Sequence, residues 1–286
     1  MKDFGAQSMT DPLQRVLVKR PGSAFGAAFD DQRHGYLHPV DLDLARKQHE
    51  QLLVLLADLG VHIDELGVET DDPDLVYVFD PALISDRGLI ALRCGKPNRL
   101  GEETVVEAWA ADAGIPTAGR IEAPGTVDGG DTFWLHPDVS CIGRSLRTNT
   151  AGADQLAWII GGEVHTFDVP YGDGPDYCLH LLSLISPVAN DLAAVYLPLL
   201  PSGLFELLRD HGVDLIEVPA EEFATLGCNI LAVRPGVVIV VDGNPRTRRS
   251  LEQRGCEVHP FEGSEICLNG SGGPTCLTRP VLRTND

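Results

Sequence analysis

A cysteine closes the stretch Gly270-Ser-Gly-Gly-Pro-Thr-Cys276, ten residues before the last position. A thiolate nucleophile needs an approachable setting, and Gly272 and Gly273 carry no side chains to block one. His180 lies inside the apolar run YCLHLLSLISPV. An imidazole there is either a satisfied core residue or an acid–base group, because its pKa is easily tuned near neutrality. Two carboxylates flank a flexible pair of glycines in Asp128-Gly-Gly-Asp131, a pattern that tight polar turns share. Asp74 and Asp80 bracket PDLVYVFD; at this spacing both would point to one face of an extended strand. Arg99, in KPNR, and Arg147, in GRSLRTN, follow strand candidates, where most arginines simply face solvent. Cys256, His259, Cys267 and Cys276 offer zinc-type ligands within 21 residues, but their spacings match no compact knuckle.

The rest of the chain must position these groups. Its 286 residues, 43% of them apolar, suit a single domain spanning 1–286, with residues 1–12 expected as a loosely ordered tail. A net charge of −20 argues against nucleic acid and anionic membranes as partners and favours a cationic small molecule. The seven cysteines are odd in number, and without a C-x-x-C they suggest no disulfide framework. The opening MKDFGAQS lacks the apolar run of a signal peptide, which points to a cytoplasmic protein. Pro187, Asn190 and Asp191 interrupt the most apolar stretch, 178–201, which reads as two strands and a turn rather than a bilayer span.

One local grammar recurs five times: an apolar helical pattern, a glycine stop, then a short strand-forming run. The stops are Gly60, Gly114, Gly161-Gly162, Gly212 and Gly255. Strand candidates lie between, and AVRPGVVIVVDG reads as a hairpin around Pro235-Gly236. No G-x-G-x-x-G follows the first strand, so a doubly wound dinucleotide fold does not fit. Five helix-bearing, partly antiparallel units suggest a closed ring with a ligand site where strand ends converge.

The five-unit pattern, the D-G-G-D, the late histidine and the terminal cysteine together resemble the guanidino-group-modifying enzymes. The similarity is greatest to the dimethylarginine dimethylaminohydrolase family, through PDLVYVFD, TVDGGDTFW, RTN at 147–149, CLHLLS and GGPTC. The resemblance implies an α/β fold, a five-fold pseudosymmetric α/β propeller of ββαβ-type repeats around a central active site. It implies that Cys276 is the nucleophile, His180 the general acid and base, and Asp128 the orienting carboxylate. Asp80 would be the second carboxylate on the guanidinium, Asp74 would receive the α-amino group, and Arg99 and Arg147 the α-carboxylate. Gly270 would present its carbonyl near the guanidine, and residues 22–38 would form a mobile lid.

The implied partner is a guanidino amino acid, with no metal and no organic cofactor, and with room for a homodimer. The implied activity is hydrolysis of a methylated arginine to citrulline through a covalent thiouronium intermediate. Two departures bear on specificity. Phe79 precedes Asp80 where the dimethylarginine enzymes carry an acid, and Leu182 stands where arginine deiminases hold the far guanidinium nitrogen with an aspartate. The alternatives are an arginine deiminase or hydrolase of another substituted guanidino acid, an amidinotransferase, or a non-catalytic propeller that binds a partner.

Overall fold

The computed structural model describes residues 3–174 and 179–284. Five helices form where apolar periodicity places them: α1 (Leu42–Asp58), α2 (Glu102–Asp112), α3 (Thr150–Ile160), α4 (Ser202–Asp210) and α5 (Pro245–Gln253). Asp41 caps α1 by accepting from Leu44 N, and Asn149 caps α3 by accepting from Gly152 N. The glycines of all five stops take positive φ, a backbone region that only glycine enters without a Cβ penalty.

The strands, in chain order, are β1 (Leu13–Val18), β2 (His62–Glu65), β3 (Ala82–Ser85), β4 (Gly88–Ala91), β5 (Thr117–Arg120), β6 (Thr132–His136), β7 (Val139–Arg144), β8 (Glu163–Asp168), β9 (Ile185–Ala189), β10 (Leu192–Val195), β11 (Asp214–Glu217), β12 (Ile230–Arg234), β13 (Val237–Val241), β14 (Glu257–Phe261) and β15 (Arg279–Arg283). They make five three-stranded sheets. Four follow one plan: an antiparallel hairpin, a helix, then a strand parallel to the second hairpin strand. These are β3-β4-β5, β6-β7-β8, β9-β10-β11 and β12-β13-β14. In the remaining sheet β1 and β2 run parallel, and β15 supplies the antiparallel partner, with Val16 opposite Pro280 and Leu17 opposite Arg279.

The core closes this arrangement into a ring. Each buried apolar cluster sits at a seam between two neighbouring sheets, and every sheet contributes to two seams. Side chains on a strand alternate faces, so successive residues feed opposite seams. Leu17 of β1 packs with β3 and β4, while Val16 and Val18 pack with β12 and β13. On β13, Ile239 and Val241 face the β1 seam, and Val238 and Val240 face the β9–β10 seam. Burial on both faces is why these strands read as continuous apolar runs. The chain adopts the five-unit α/β propeller that its turns foreshadow.

Two expectations need correction. Residues 3–12 are not a loose tail: Gly5 N donates to Val281 O, Ala6 N to Ile84 O, and Thr10 Oγ1 to Asn190 Oδ1. Backbone bonds to two units and the burial of Ala6 and Thr10 fix the segment. PDLVYVFD is not a strand but a 3₁₀ turn over Pro73–Val76 followed by irregular chain. Asp72 accepts from Asp74 N and Pro73 presets φ at the first position, so the local chemistry starts a turn. The hairpin at Pro235-Gly236 forms, and the stretch after Leu184 makes β9 and β10; Cys178 lies outside the described residues. Among the described residues no helix is long and apolar enough to cross a membrane.

His49, on α1, is wholly buried with neither ring nitrogen hydrogen-bonded. Burial, with the Arg20 charge adding to it, pushes its pKa down to about 3. An unfolded histidine titrates near 6.5, so the folded state refuses a proton that the unfolded state takes. Stability from this group is therefore complete above about pH 6.5 and is lost as pH falls toward 3. Between pH 6.5 and 5 the loss is about 2 kcal/mol. Urea titrations at both pH values are expected to show that His49→Leu removes a loss of this size. Identical pH dependence in variant and native protein would refute it.

Candidate active site

The chain pieces around Asp80 and Asp128 interlock through glycines. Gly129 N donates to Asp80 O (2.9 Å) and Gly130 N to Asp80 Oδ1 (2.9 Å). A Cβ on Gly129 would come within 2.2 Å of Phe79 O, and one on Gly130 within 2.3 Å of His180 Nδ1. The D-G-G-D glycines therefore let the Asp80 backbone and the His180 ring approach. His180 begins the 3₁₀ turn Leu181–Ser183; its N–H donates to Ser183 Oγ (3.1 Å) and its Nε2 lies 3.0 Å from Asp128 Oδ2.

Burial alone would raise the Asp128 carboxyl, but the His180 hydrogen bond and charge, Arg99 and the Gly95 N–H bring it down to about 2. Asp131, which the sequence offers only as the second acid of the motif, braces the site. It accepts from Ser145 Oγ (2.5 Å), Thr148 Oγ1 (2.7 Å) and Leu181 N (2.9 Å). Burial outweighs these donors and pushes its pKa up to about 6.

Cys276 is half-buried, whereas the other described cysteines are buried, and burial raises the pKa of each of those. Its Sγ accepts from Asn229 Nδ2 (3.3 Å), and Asn229 Oδ1 accepts from Thr275 N (3.2 Å). Nothing in the sequence marks Asn229. The glycines before the cysteine have a different purpose from an open approach. A Cβ on Gly272 would strike the Tyr77 ring at 2.4 Å, and one on Gly273 would meet Asn229 Oδ1 at 2.4 Å. They make room for protein side chains that hold the loop. The loop is tied to the acidic segment by Phe79 N donating to Cys276 O (3.2 Å) and by Arg279, which stacks 3.6 Å over the Phe79 ring.

One cavity of about 350 Å³ is lined by all nine site residues singled out in the sequence: Asp74, Phe79, Asp80, Arg99, Asp128, Arg147, His180, Gly270 and Cys276. Lys96, His34, Tyr77, Leu179, Leu182, Phe223, Leu226 and Asn229 join them. Leu226 and Ser271, the two non-glycine residues with positive φ among those described, also line it. Backbone in that region is costly for a leucine, and such outliers collect at functional sites.

Arg99 lines the cavity with its charge already engaged. It is 5% exposed, bonds Glu102 twice at 2.7 Å, donates to Asp80 Oδ2 (2.6 Å), and reaches the carbonyls of Asp74 and Tyr77. Burial opposes its charge, but Glu102 and Asp80 outweigh burial and hold it protonated. Asp74 is engaged by Lys96 Nζ (2.7 Å) and His34 Nδ1 (3.0 Å). Burial would raise its carboxyl, yet His34, Arg99 and Lys96 bring it down to about 2. The four residues of the zinc alternative do not converge: Cys256 packs in the β9–β13 seam and His259 bonds Glu257, while Cys267 and Cys276 belong to the β1 seam.

Of the segment 22–38, His34, Gly35 and Leu37 line this cavity. Leu37 N and His38 N both donate to Asn269 Oδ1 (2.9 and 3.1 Å), at the end of the π-helical turn Ser264–Asn269.

The profile of the arginine deiminase family matches residues 200–283. An N(G),N(G)-dimethylarginine dimethylaminohydrolase of Pseudomonas aeruginosa is 31% identical over 268 residues, covering 93% of this chain and 98% of the relative. An arginine deiminase of Rhodococcus erythropolis is 31% identical over 189 residues, 55% of this chain and 46% of that one. Among solved structures, the Pseudomonas aeruginosa dimethylarginine enzyme, as a Cys-to-Ser variant with citrulline, superposes with TM-score 0.78 at 27% identity, covering 94% and 99% of the two chains. The N-terminal domain of a cyanobacterial arginine dihydrolase superposes with TM-score 0.82 at 18% identity, covering 94% and 97%, a likeness of fold alone.

Proposed function

The chain belongs to the guanidino-group-modifying enzyme superfamily, close to the dimethylarginine dimethylaminohydrolases, and we propose that it hydrolyses an N-methylated arginine to citrulline and an amine. The observation that carries this is the gathering of Cys276, the His180–Asp128 pair and Asp80 around one cavity.

A guanidinium is delocalised and unreactive, so it must be held flat and cationic against carboxylates. Asp80 and Asp128 supply them, and Arg99 holds Asp80 in place. The Cys276 thiolate attacks the central carbon and forms a C–S bond. His180 gives its proton to the substituted nitrogen, the C–N bond breaks, and the amine departs. A thiouronium stays on the sulfur. Asp128 engages Nε2 of His180 and steadies the charged form of the ring. The imidazole then takes one proton from water as the new C–O bond forms; the C–S bond breaks to return the thiolate, and the hydroxyl's remaining proton passes to solvent as neutral citrulline leaves.

The N-methyl preference follows from one wall. Phe79, Leu179 and Leu182 belong to a single apolar cluster, with Phe223 packed against it, and all four line the cavity. An unsubstituted NH₂ facing that wall leaves donors unpaired, at about 1–3 kcal/mol each. A methyl group there gains about 0.8 kcal/mol. The test is citrulline formation from asymmetric dimethylarginine, monomethylarginine and arginine. Methylated substrates are expected to exceed arginine in kcat/KM by at least about tenfold. Arginine as the best substrate, or ureido product from none of them, would overturn the proposal.

A further inference from the structure

We propose that Asn229 is a further catalytic residue: its side-chain amide donates to Cys276 Sγ and stabilises the sulfur whenever it carries negative charge. The inference rests on Cys276 being the nucleophile and deepens that reading.

Asn229 Nδ2 lies 3.3 Å from Cys276 Sγ, within hydrogen-bond reach of so large an atom. The far end of the amide fixes which way it points. Oδ1 accepts from Thr275 N (3.2 Å), and a backbone N–H can only donate, so the NH₂ group must face the sulfur. One side chain thus holds both the nucleophile and the residue before it.

The backbone is shaped for this placement. Asn229 N donates to Leu226 O (2.9 Å), closing a turn in which Leu226 takes a φ of 63°. A leucine enters that region only at a cost, and the turn delivers Asn229 to the cavity wall. Buried Ser186 of β9 fixes both flanks: its Oγ donates to Cys228 O (2.7 Å) and accepts from Ile230 N (3.2 Å). Asn229 itself is 8% exposed, so water screens its donor little.

Negative charge sits on the sulfur twice in the cycle, in the thiolate that attacks and again as the C–S bond breaks. Between these the sulfur is thioether-like and a weak acceptor. A fixed donor therefore favours the charged states, which enlarges the thiolate fraction and makes the sulfur a better leaving group. His180 moves protons; Asn229 steadies charge.

Other ionisable groups surround the sulfur. Tyr77 and Cys267 interact with it, and burial raises both well above their ordinary range, so they stay neutral. His34, Asp74, Asp80, Lys96, Arg99, Asp128, Arg147 and His180 share its cavity. Native protein and variants have all of these in common, so a difference between their pH profiles reports Asn229.

The test is the rate of Cys276 alkylation by iodoacetamide between about pH 5 and 10, read by mass spectrometry of the labelled peptide. Asn229→Ala is expected to move the midpoint up by about one pH unit and to lower kcat for methylarginine roughly 10- to 100-fold, the worth of a hydrogen bond to a charged group. Asn229→Asp keeps the acceptor for Thr275 N but sets a carboxylate beside the sulfur, so its midpoint should rise at least as far. Thr275→Val loosens the same loop by removing the hydroxyl's bond to Ile230 O (3.2 Å), keeps the donor, and should keep the native midpoint. A native midpoint in either Asn229 variant, an equal shift in Thr275→Val, or a native Cys276 that never alkylates would overturn the assignment. Turnover of methylarginine by the native protein is scored separately. A shifted midpoint without turnover would remove the hydrolase reading and keep Asn229, and turnover with an unmoved midpoint would do the reverse.

Discussion

Cys276→Ser is expected to lower turnover by roughly four to six orders of magnitude while citrulline affinity stays within a few-fold of native. Serine keeps the volume and an acceptor for Asn229 Nδ2, so the loop loses little. The hydroxyl, however, is hardly ionised at neutral pH, and the C–S intermediate can no longer form. Retained activity in the variant would remove the covalent route altogether. A companion measurement is alkylation by iodoacetamide. Cys276 is the one described cysteine that is not buried, so it should label first, and citrulline should slow it.

The second large effect is expected at Asp128. Asp128→Asn should cut kcat by roughly 10³- to 10⁴-fold, as when a histidine loses the carboxylate that sets its tautomer and steadies its charged form. Asp128 titrates at about 2, below an ordinary carboxylate, so its contribution to stability is complete above about pH 4 and is lost as pH falls toward 2. At pH 7 the native acid is thus fully ionised, and an activity gap between the two proteins there reflects chemistry. Gly130→Ala provides the steric counterpart. Its Cβ would press within 2.3 Å of His180 Nδ1 while removing no ionisable group. A ring displaced by about 1 Å costs roughly 10²-fold. If both variants kept native kcat, His180 would not be the proton carrier.

Much of the architecture was legible because each unit carries its own punctuation. A helix, a glycine in left-handed conformation and a parallel strand are all local, and local signals survive in one sequence. The pairing of β15 with β1 is not local, so no window of residues announces it; the family likeness implied only the ring. The site residues announced themselves by type, yet their partners did not. PDLVYVFD looks like a strand from its β-branched and aromatic content, but Asp72 and Pro73 commit it to a turn before that propensity acts. By residue type Arg99 reads only as a solvated surface arginine, and the family likeness alone implies a head-group role for it. Only the position of Glu102, one helical turn on, shows that its charge is already engaged. Lys96 and Asn229 carry no signal beyond their own chemistry and were reachable only through coordinates.

For Cys276, the proposed nucleophile, the sharing of one sheet by β1 and β15 also sets when it can take its place. Cys276 stands three residues before β15, and 96 positions after His180. At roughly 5–20 residues per second, a ribosome delivers that stretch about 5 to 20 seconds after the imidazole. Until β15 docks on β1, the first sheet lacks its outer edge and the Phe79 ring lacks the stacked guanidinium of Arg279. The proposed nucleophile is thus the last member of the site to be made and placed.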